Sequence, residues 1–320
     1  MKAIVCTKYG APELLKIQEV AQPVPKKNEV LIRVRATAIN DYDWSMVRGK
    51  PYLYRLMFGL GKPKRQIPGM ELAGTVEALG PNVENLKIGD SVYGDISDYG
   101  FGSFAEYICI HEKAVVKKLE TMDFHEAASI PHAALLALQG LRMGKIKKGY
   151  KILLNGAGGG VGTFALQLAK HHECEVTGVD TGKKLETIKS MGFDHVIDYK
   201  KIDFTRNKQE YDLILDCKTN RNPFAYLRSL KQNGRYVSIG GKLHRLLQIL
   251  CYKKFISFFF KRQLQILSLK PNQGLDTINE LYSQGKLKCI IDGPHAFEKI
   301  PELITYFGRG RHTGKIVAIL

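Results

Sequence analysis

No two of the six cysteines (Cys6, Cys109, Cys174, Cys217, Cys251, Cys289) stand in a C-x-x-C pair, which argues against a disulfide framework and against a zinc ribbon. No H-E-x-x-H occurs, because His125-Glu126 runs on into Ala127-Ala128-Ser129. No apolar run reaches the ~18 residues of a spanning helix, since the longest greasy stretch, Leu246 to Phe260, is broken by Lys253 and Lys254. Met1 to Gly10 lacks the apolar core of a signal peptide and reads as a first strand over Ala3–Cys6. Internal repeats and low-complexity linkers are missing too. These absences predict a soluble, reduced, cytoplasmic protein. Acidic residues are the scarce class: 31 Asp and Glu face 48 Lys and Arg, a formal net charge of +17. An excess of that size raises nucleic acid, an anionic membrane or a phosphate-bearing ligand as partners.

What is present is ample for two domains, at 320 residues and about 150 per domain. Hydrophobic residues make up 44% and charged residues 25%, so an ordinary core can form. Two textures divide the chain. As far as residue 120 or so, short β-rich runs (Leu14–Val20, Val30–Ala36, Leu72–Leu79, Ser91–Tyr93, Phe104–Ile110) alternate with Gly and Pro punctuation, a spacing that predicts a small, partly open β-barrel. Beyond it the rhythm becomes strand then helix. Ile152–Leu154, Glu175–Val179, His195–Ile197, Leu213–Leu215 and Tyr236–Ile239 read as strands; Phe164–Lys170, Lys184–Met191 and Phe224–Leu230 read as helices. That alternation predicts a doubly wound parallel sheet, an α/β fold. Short strands return at Cys289–Ile291 and Lys315–Ile319. The expected division is therefore 1–122 with 287–320 as one discontinuous domain and 123–286 as the other.

Between an apolar strand and an amphipathic helix lies Gly156-Ala157-Gly158-Gly159-Gly160-Val161-Gly162. Glycines there let the backbone turn tightly and approach a pyrophosphate, whose charge meets the N–H groups at the helix start. Asp180 closes the second strand, where an acid hydrogen-bonds the adenosine ribose and favours NAD(H). Lys183 and Lys184 follow, in position to pair with the 2′-phosphate of NADP(H). Of the two, NADP(H) is the preferred reading, with NAD(H) open. A carboxylate beside that phosphate would have to turn away or be neutralised by the lysines.

Several motifs together resemble the medium-chain dehydrogenase/reductase superfamily, and within it the zinc-free quinone oxidoreductase branch. They are Asn40-Asp41-Tyr42-Asp43-Trp44, Pro68-Gly69-Met70-Glu71-Leu72-Ala73-Gly74, Gly89-Asp90-Ser91-Val92-Tyr93-Gly94, the glycine loop running into Gln167-Leu168-Ala169-Lys170, and Val196-Ile197-Asp198-Tyr199. The likeness spans nearly the whole chain. It implies a GroES-like domain completed by the C-terminal segment, a Rossmann domain, and an active site in the cleft between them. Zinc-dependent members carry cysteine where this chain has Asn40 and histidine where it has Met70. Their third ligand falls near His132, which cannot hold a catalytic zinc alone. The four-cysteine structural zinc lobe is absent as well, so no zinc is expected.

Hydride delivered to a simple ketone leaves an alkoxide that needs a Lewis acid or a strong donor. A quinone or an α,β-unsaturated carbonyl spreads the incoming charge over its own conjugated system. Loss of zinc therefore favours such acceptors, as the resemblance does independently. Asn40 and Asp43 match the branch's N-x-x-D on the substrate side, Asn40 as an orienting donor and Asp43 as a residue that fixes the loop or caps a turn. Tyr42 and Tyr52 are candidate proton donors or aromatic walls, and Trp44 is either core or pocket. For the cofactor, the resemblance implies Gly159, Gly160, Val161 and Gly162 at the pyrophosphate, beside Gly156 from the loop itself, Asp180 as in NAD-type members, and Thr181 with Lys184 at the 2′-phosphate. It further implies Tyr199 near the adenosine, Ile239 and Gly240 on the nicotinamide side, and Lys315 near the cleft. A homodimer is common among look-alikes.

The basic excess clusters twice, from Arg48 to Arg65 among Tyr52, Tyr54 and Phe58, and from Lys242 to Arg262 among Tyr252, Phe255 and Phe258–Phe260. Such segments suit single-stranded nucleic acid or an anionic membrane. The preferred reading is that both edge the cleft, with aromatics as a pocket roof or subunit contact and lysines solvated. The expected function is an NAD(P)H-dependent, zinc-independent reductase of quinones or enones. A cofactor-gated nucleic-acid- or membrane-binding protein with little turnover is the alternative, and a zinc alcohol dehydrogenase, opposed by Asn40 and Met70, is a third.

Overall fold

The computed structural model describes the whole chain except Lys183 and the side chain of Met57. It divides into two compact units, one of Met1–His132, Pro271–Leu275 and Ile291–Leu320, the other of Ala133–Lys270 and Asp276–Ile290. The cuts fall at 132/133 and 290/291, against 122/123 and 286/287 expected from sequence texture.

The second unit is built on six parallel strands. Across the sheet they run His195–Asp198, Glu175–Asp180, Lys151–Asn155, Tyr211–Asp216, Leu230–Ser238, Gln263–Ile266. Numbered along the chain this is the order 3-2-1-4-5-6 of a Rossmann sheet, with its switch point between Lys151–Asn155 and Tyr211–Asp216. Strands covered on both faces need unbroken apolar runs, and Ile152, Leu153 and Leu154 pair with the equally buried Leu213, Ile214 and Leu215. Helices Gly160–His171, Lys184–Ser190 and Leu243–Phe260 belong to this unit. Phe204, Tyr226, Tyr236, Ile249 and Ile256 fill the core on one side of the sheet.

The first unit is a seven-stranded sheet organised around Glu29–Ala38. One edge of that long strand pairs antiparallel with Glu71–Leu79. The other is shared, with Tyr107–His111 on residues 29–33 and Lys315–Ile319 on residues 36–38. Alternation puts Val30, Ile32 and Val34 in the core with Leu72, Val76 and Val92, as a period of two requires. The C-terminal segment thus completes this sheet. Its outer strand is Ile291–Ala296 and not Cys289–Ile291, because pairing with Lys315–Ile319 begins at Ile291. The short Pro271–Leu275 segment is held by Asn272, which bonds both backbone groups of Asp95.

Candidate active site

In the sheet unit the chain leaves strand Glu29–Ala38, and Asn40 (φ −130°, ψ 173°) caps helix Asp41–Arg48. Asp43, in the first turn, accepts the Asn40 N–H at 2.9 Å through one oxygen and the Gly69 N–H at 3.1 Å through the other. Gly69 (φ +100°) is required there, since a Cβ would lie 2.3 Å from Ser103 Oγ. Burial lifts the Asp43 pKa to about 7, against the pull of those N–H groups and Lys315. Asp43 is therefore an internal clamp on two loops.

Glu71, which opens the next strand, is fully buried. Its Oε2 accepts from Lys315 Nζ at 2.7 Å and Asn40 Nδ2 at 2.9 Å, and Oε1 accepts the His132 N–H at 2.7 Å. Lys315 Nζ also reaches Asn40 Oδ1 at 2.5 Å, and Lys315 is only 4% exposed. One carboxylate thus joins a buried ammonium, a side-chain amide and the orphan N–H at the start of helix Pro131–Met143. The second Asn40 N–H goes to Ala38 O at 3.3 Å. Both amide donors of Asn40 are taken internally, so the orienting role expected of it toward a substrate oxygen does not follow from its geometry. Lys315, grouped from the sequence with the cofactor residues, forms an ion pair with Glu71.

His132 sits beside the cluster, its Nδ1 2.9 Å from Asp95 Oδ2. Its Nε2 is 3.3 Å from Asp41 Oδ1, within ion-pair distance but without hydrogen-bond alignment. Burial opposes charge on this ring, yet the two carboxylates outweigh it and lift the pKa to about 10. Against burial, His132 and Ser97 hold Asp95 below the usual carboxylate range. Tyr42 presents its ring edge to His132 (6.2 Å between centroids), stacks on Tyr54 and meets Phe58. Burial, then Asp41, raises its pKa to about 12, so the hydroxyl stays protonated. Tyr52 is not part of this group: it is 67% exposed and lies against the Arg55 guanidinium. Trp44 is partly buried, packed against the core cluster that holds Ile300 and Ile304 and under the Arg48 guanidinium.

In the parallel-sheet unit the first strand ends at Asn155 and turns at Gly156 (φ +95°). The first intrahelical bond of Gly160–His171 is Thr163 N to Gly159 O, so the N–H groups of Gly160, Val161 and Gly162 precede the helical ladder and can meet an anion. A Cβ on Gly162 would lie 2.4 Å from Ala157 O, whereas one on Gly159 meets only Gly156 O at 3.5 Å. Glycine is thus needed at 162 for loop–helix packing, and residue 159 leaves its outer side open. Asp180 is buried and turned into the loop, Oδ2 accepting Gly158 N–H and Oδ1 the Thr181 N–H, both at 2.9 Å. The Lys184 stem lies over Gly158, with Cδ 3.1 Å from a Cβ built there; Lys183 lies outside the described residues. Thr181 donates to Asp198 Oδ1, and half-exposed Tyr199 bonds Asp180 O through its N–H. At the switch point, buried Asp216 accepts from Asn155, Lys218, Thr219 and Tyr236, while Ile239 N–H bonds its carbonyl and Gly240 has open space.

Residues 26–120 match the family model described as alcohol dehydrogenase GroES-like domain, and residues 191–318 the one described as zinc-binding dehydrogenase. A 2-methylene-furan-3-one reductase of Solanum lycopersicum is 33% identical over 99% of this chain and 78% of its own. The chloroplastic NADPH-dependent alkenal/one oxidoreductase of Arabidopsis thaliana is 30% identical, over 99% and 79%. The solved quinone oxidoreductase from Coxiella burnetii superposes with a TM-score of 0.88 at 28% identity, covering 100% of this chain and 99% of that one. The chain belongs to the medium-chain dehydrogenase/reductase superfamily. It is an oxidoreductase, with the superfamily's Rossmann and GroES-like folds. Among the described residues no group of three or more His, Cys, Asp or Glu is arranged to hold a metal ion.

Sequence reasoning missed Glu71, Asp95 and Asp216 as organising carboxylates. Glu71 stood in the quoted Gly69-Met70-Glu71 run. The two aspartates each end a strand with an apolar core (Ser91–Asp95, Tyr211–Asp216), and that position was their only signal.

Proposed function

We propose that this oxidoreductase transfers hydride from NADPH to a quinone or an α,β-unsaturated carbonyl without zinc. The observation that carries the reading is the Lys315 ammonium, 2.5 Å from Asn40 Oδ1 and 2.7 Å from Glu71 Oε2. It is a buried cation bonded to Asn40, one of the residues that match the family's metal positions. It occupies the Asn40 oxygen that a metal ion would need as a donor. The donor set also fits zinc poorly. Asn40 offers an amide and Met70 a buried thioether where zinc-dependent members have cysteine and histidine, and His132 is held protonated, so its ring nitrogens lack the lone pair that a metal ligand must give.

Bound nicotinamide supplies the hydride. The chain's own residues bind and orient. The Gly160, Val161 and Gly162 N–H groups suit a pyrophosphate, and the open side of Gly159 gives it room. Asp180, occupied by two backbone N–H groups, is turned from a 2′-phosphate that Lys184 and Thr181 would hold, which supports NADPH over NADH. Tyr42, whose hydroxyl makes no hydrogen bond among the described residues, is the donor to the acceptor oxygen, and the His132 imidazolium behind its ring adds positive field. Donors of this strength suffice only where the acceptor disperses the charge itself. Simple ketones and alcohols are therefore poor substrates.

NADPH oxidation measured with quinones, enones and simple ketones, with and without chelator, tests the reading. Chelator-insensitive turnover of conjugated acceptors is expected. Chelator-sensitive turnover of simple alcohols would overturn it.

A further inference from the structure

We propose that helix Leu243–Phe260 docks this protein on an anionic membrane surface, lying on the bilayer and not crossing it. Only Ile249 and Ile256 of this helix are buried. Leu247 and Phe258 each stand two positions from one of them, about 200° round the helix, and so point away from the core. They are 53% and 79% exposed, with Leu250, Phe255 and Phe259 exposed on either side. The helix is therefore apolar on its inner and its outer face, a pattern that water alone does not stabilise. Among the described residues no helix is long and apolar enough to cross a membrane.

Charge decides what covers the outer face. From Cys217 to Leu275 the sequence has no Asp or Glu and twelve Lys or Arg, so most of the net +17 resides in this stretch. Lys254 sits on the outer face between Leu247 and Phe258, and Lys253, Lys261 and Arg262 flank the phenylalanines. A second copy applied about a two-fold axis would set these cations against their own counterparts. Aliphatic Leu247 and Leu250 have no ring with which to stack on a base, unlike the platforms of single-strand binders. Leucines and phenylalanines ringed by long basic side chains match the boundary between acyl chains and anionic headgroups, where the stems lie along the apolar layer and the ammonium groups meet phosphate.

Co-sedimentation with phosphatidylcholine vesicles, with and without phosphatidylglycerol, reads this directly. Binding is expected only with phosphatidylglycerol, and is lost at about 0.5 M salt, where screening shortens to a few ångströms. Lys253→Gln/Lys254→Gln lowers the partition coefficient about thirtyfold, and Phe258→Ser/Phe259→Ser lowers it to that of plain phosphatidylcholine. Neither variant should change thermal unfolding, since all four side chains are exposed. Three results would each overturn the proposal: no binding to anionic vesicles at low salt; equal binding by the phenylalanine variant; or a stable dimer in sedimentation velocity that the phenylalanine variant dissociates. Salt-sensitive RNA binding without vesicle binding would transfer the surface to nucleic acid and overturn it too.

Discussion

Replacing Lys315 by Met tests the buried pair at the centre of the sheet unit. Lys315 is 4% and Glu71 0% exposed, and their charges are 2.7 Å apart. At an effective dielectric of 20 their attraction is about 6 kcal/mol, and desolvation of the ammonium offsets part of it. Met keeps most of the apolar stem, so the main loss is the unpaired carboxylate, about 3–5 kcal/mol. Trp44 is the sole tryptophan and packs in the same unit, against Gly308. Its fluorescence during urea unfolding therefore reports this unit. At about 3 kcal/mol per molar urea, the Lys315→Met midpoint should fall by between about 1 and 1.7 M. Adding Glu71→Gln removes the stranded charge and should recover most of that loss. A single variant within about 0.3 M of the parent, or a double variant no more stable than the single, would refute the reasoning.

His132 gives a pH signature. Its folded pKa is about 10 against an ordinary 6.5, so its contribution is whole below pH 6.5 and is lost as pH rises toward 10; unfolding temperatures at pH 6 and 9 should diverge in the parent and converge in His132→Gln. Gly162→Ala drives a methyl to 2.4 Å from Ala157 O, and NADPH titration by fluorescence should show binding lost while the sheet unit, read by Trp44, unfolds as before. Lys184→Ala should lower the NADPH-over-NADH preference about tenfold, the ~1.4 kcal/mol of one phosphate contact; an unchanged ratio of the two dissociation constants would remove Lys184 from the phosphate site.

Local chemistry was legible in the sequence where one segment carries it. The glycine loop sits between the expected strand and helix, and Lys315–Ile319 is a strand with the expected bounds. Strand order was not, because parallel neighbours such as Lys151–Asn155 and Tyr211–Asp216 are joined by long crossovers that leave no local signal. Nor was the ion pair: Glu71 and Lys315 meet across 244 positions of chain, and the pairings of strand Glu29–Ala38 with Glu71–Leu79 and with Lys315–Ile319 bring them together. Asp180 could be read two ways from its place at a strand end, because its bonds to the Gly158 and Thr181 N–H groups depend on the folded loop and leave no signal in the sequence. Helix Leu243–Phe260 hid from periodicity for a physical reason: with apolar residues on both faces, no 3.6-residue stripe stands out.

In the mechanism proposed, Lys315 occupies the Asn40 oxygen and the enzyme works without zinc. Zinc content measured by mass spectrometry on protein that is actively reducing an enone with NADPH tests it most directly. Far less than one zinc per chain at full activity is the predicted result. One zinc per chain, with activity that falls as the metal is stripped and returns with it, would contradict the account.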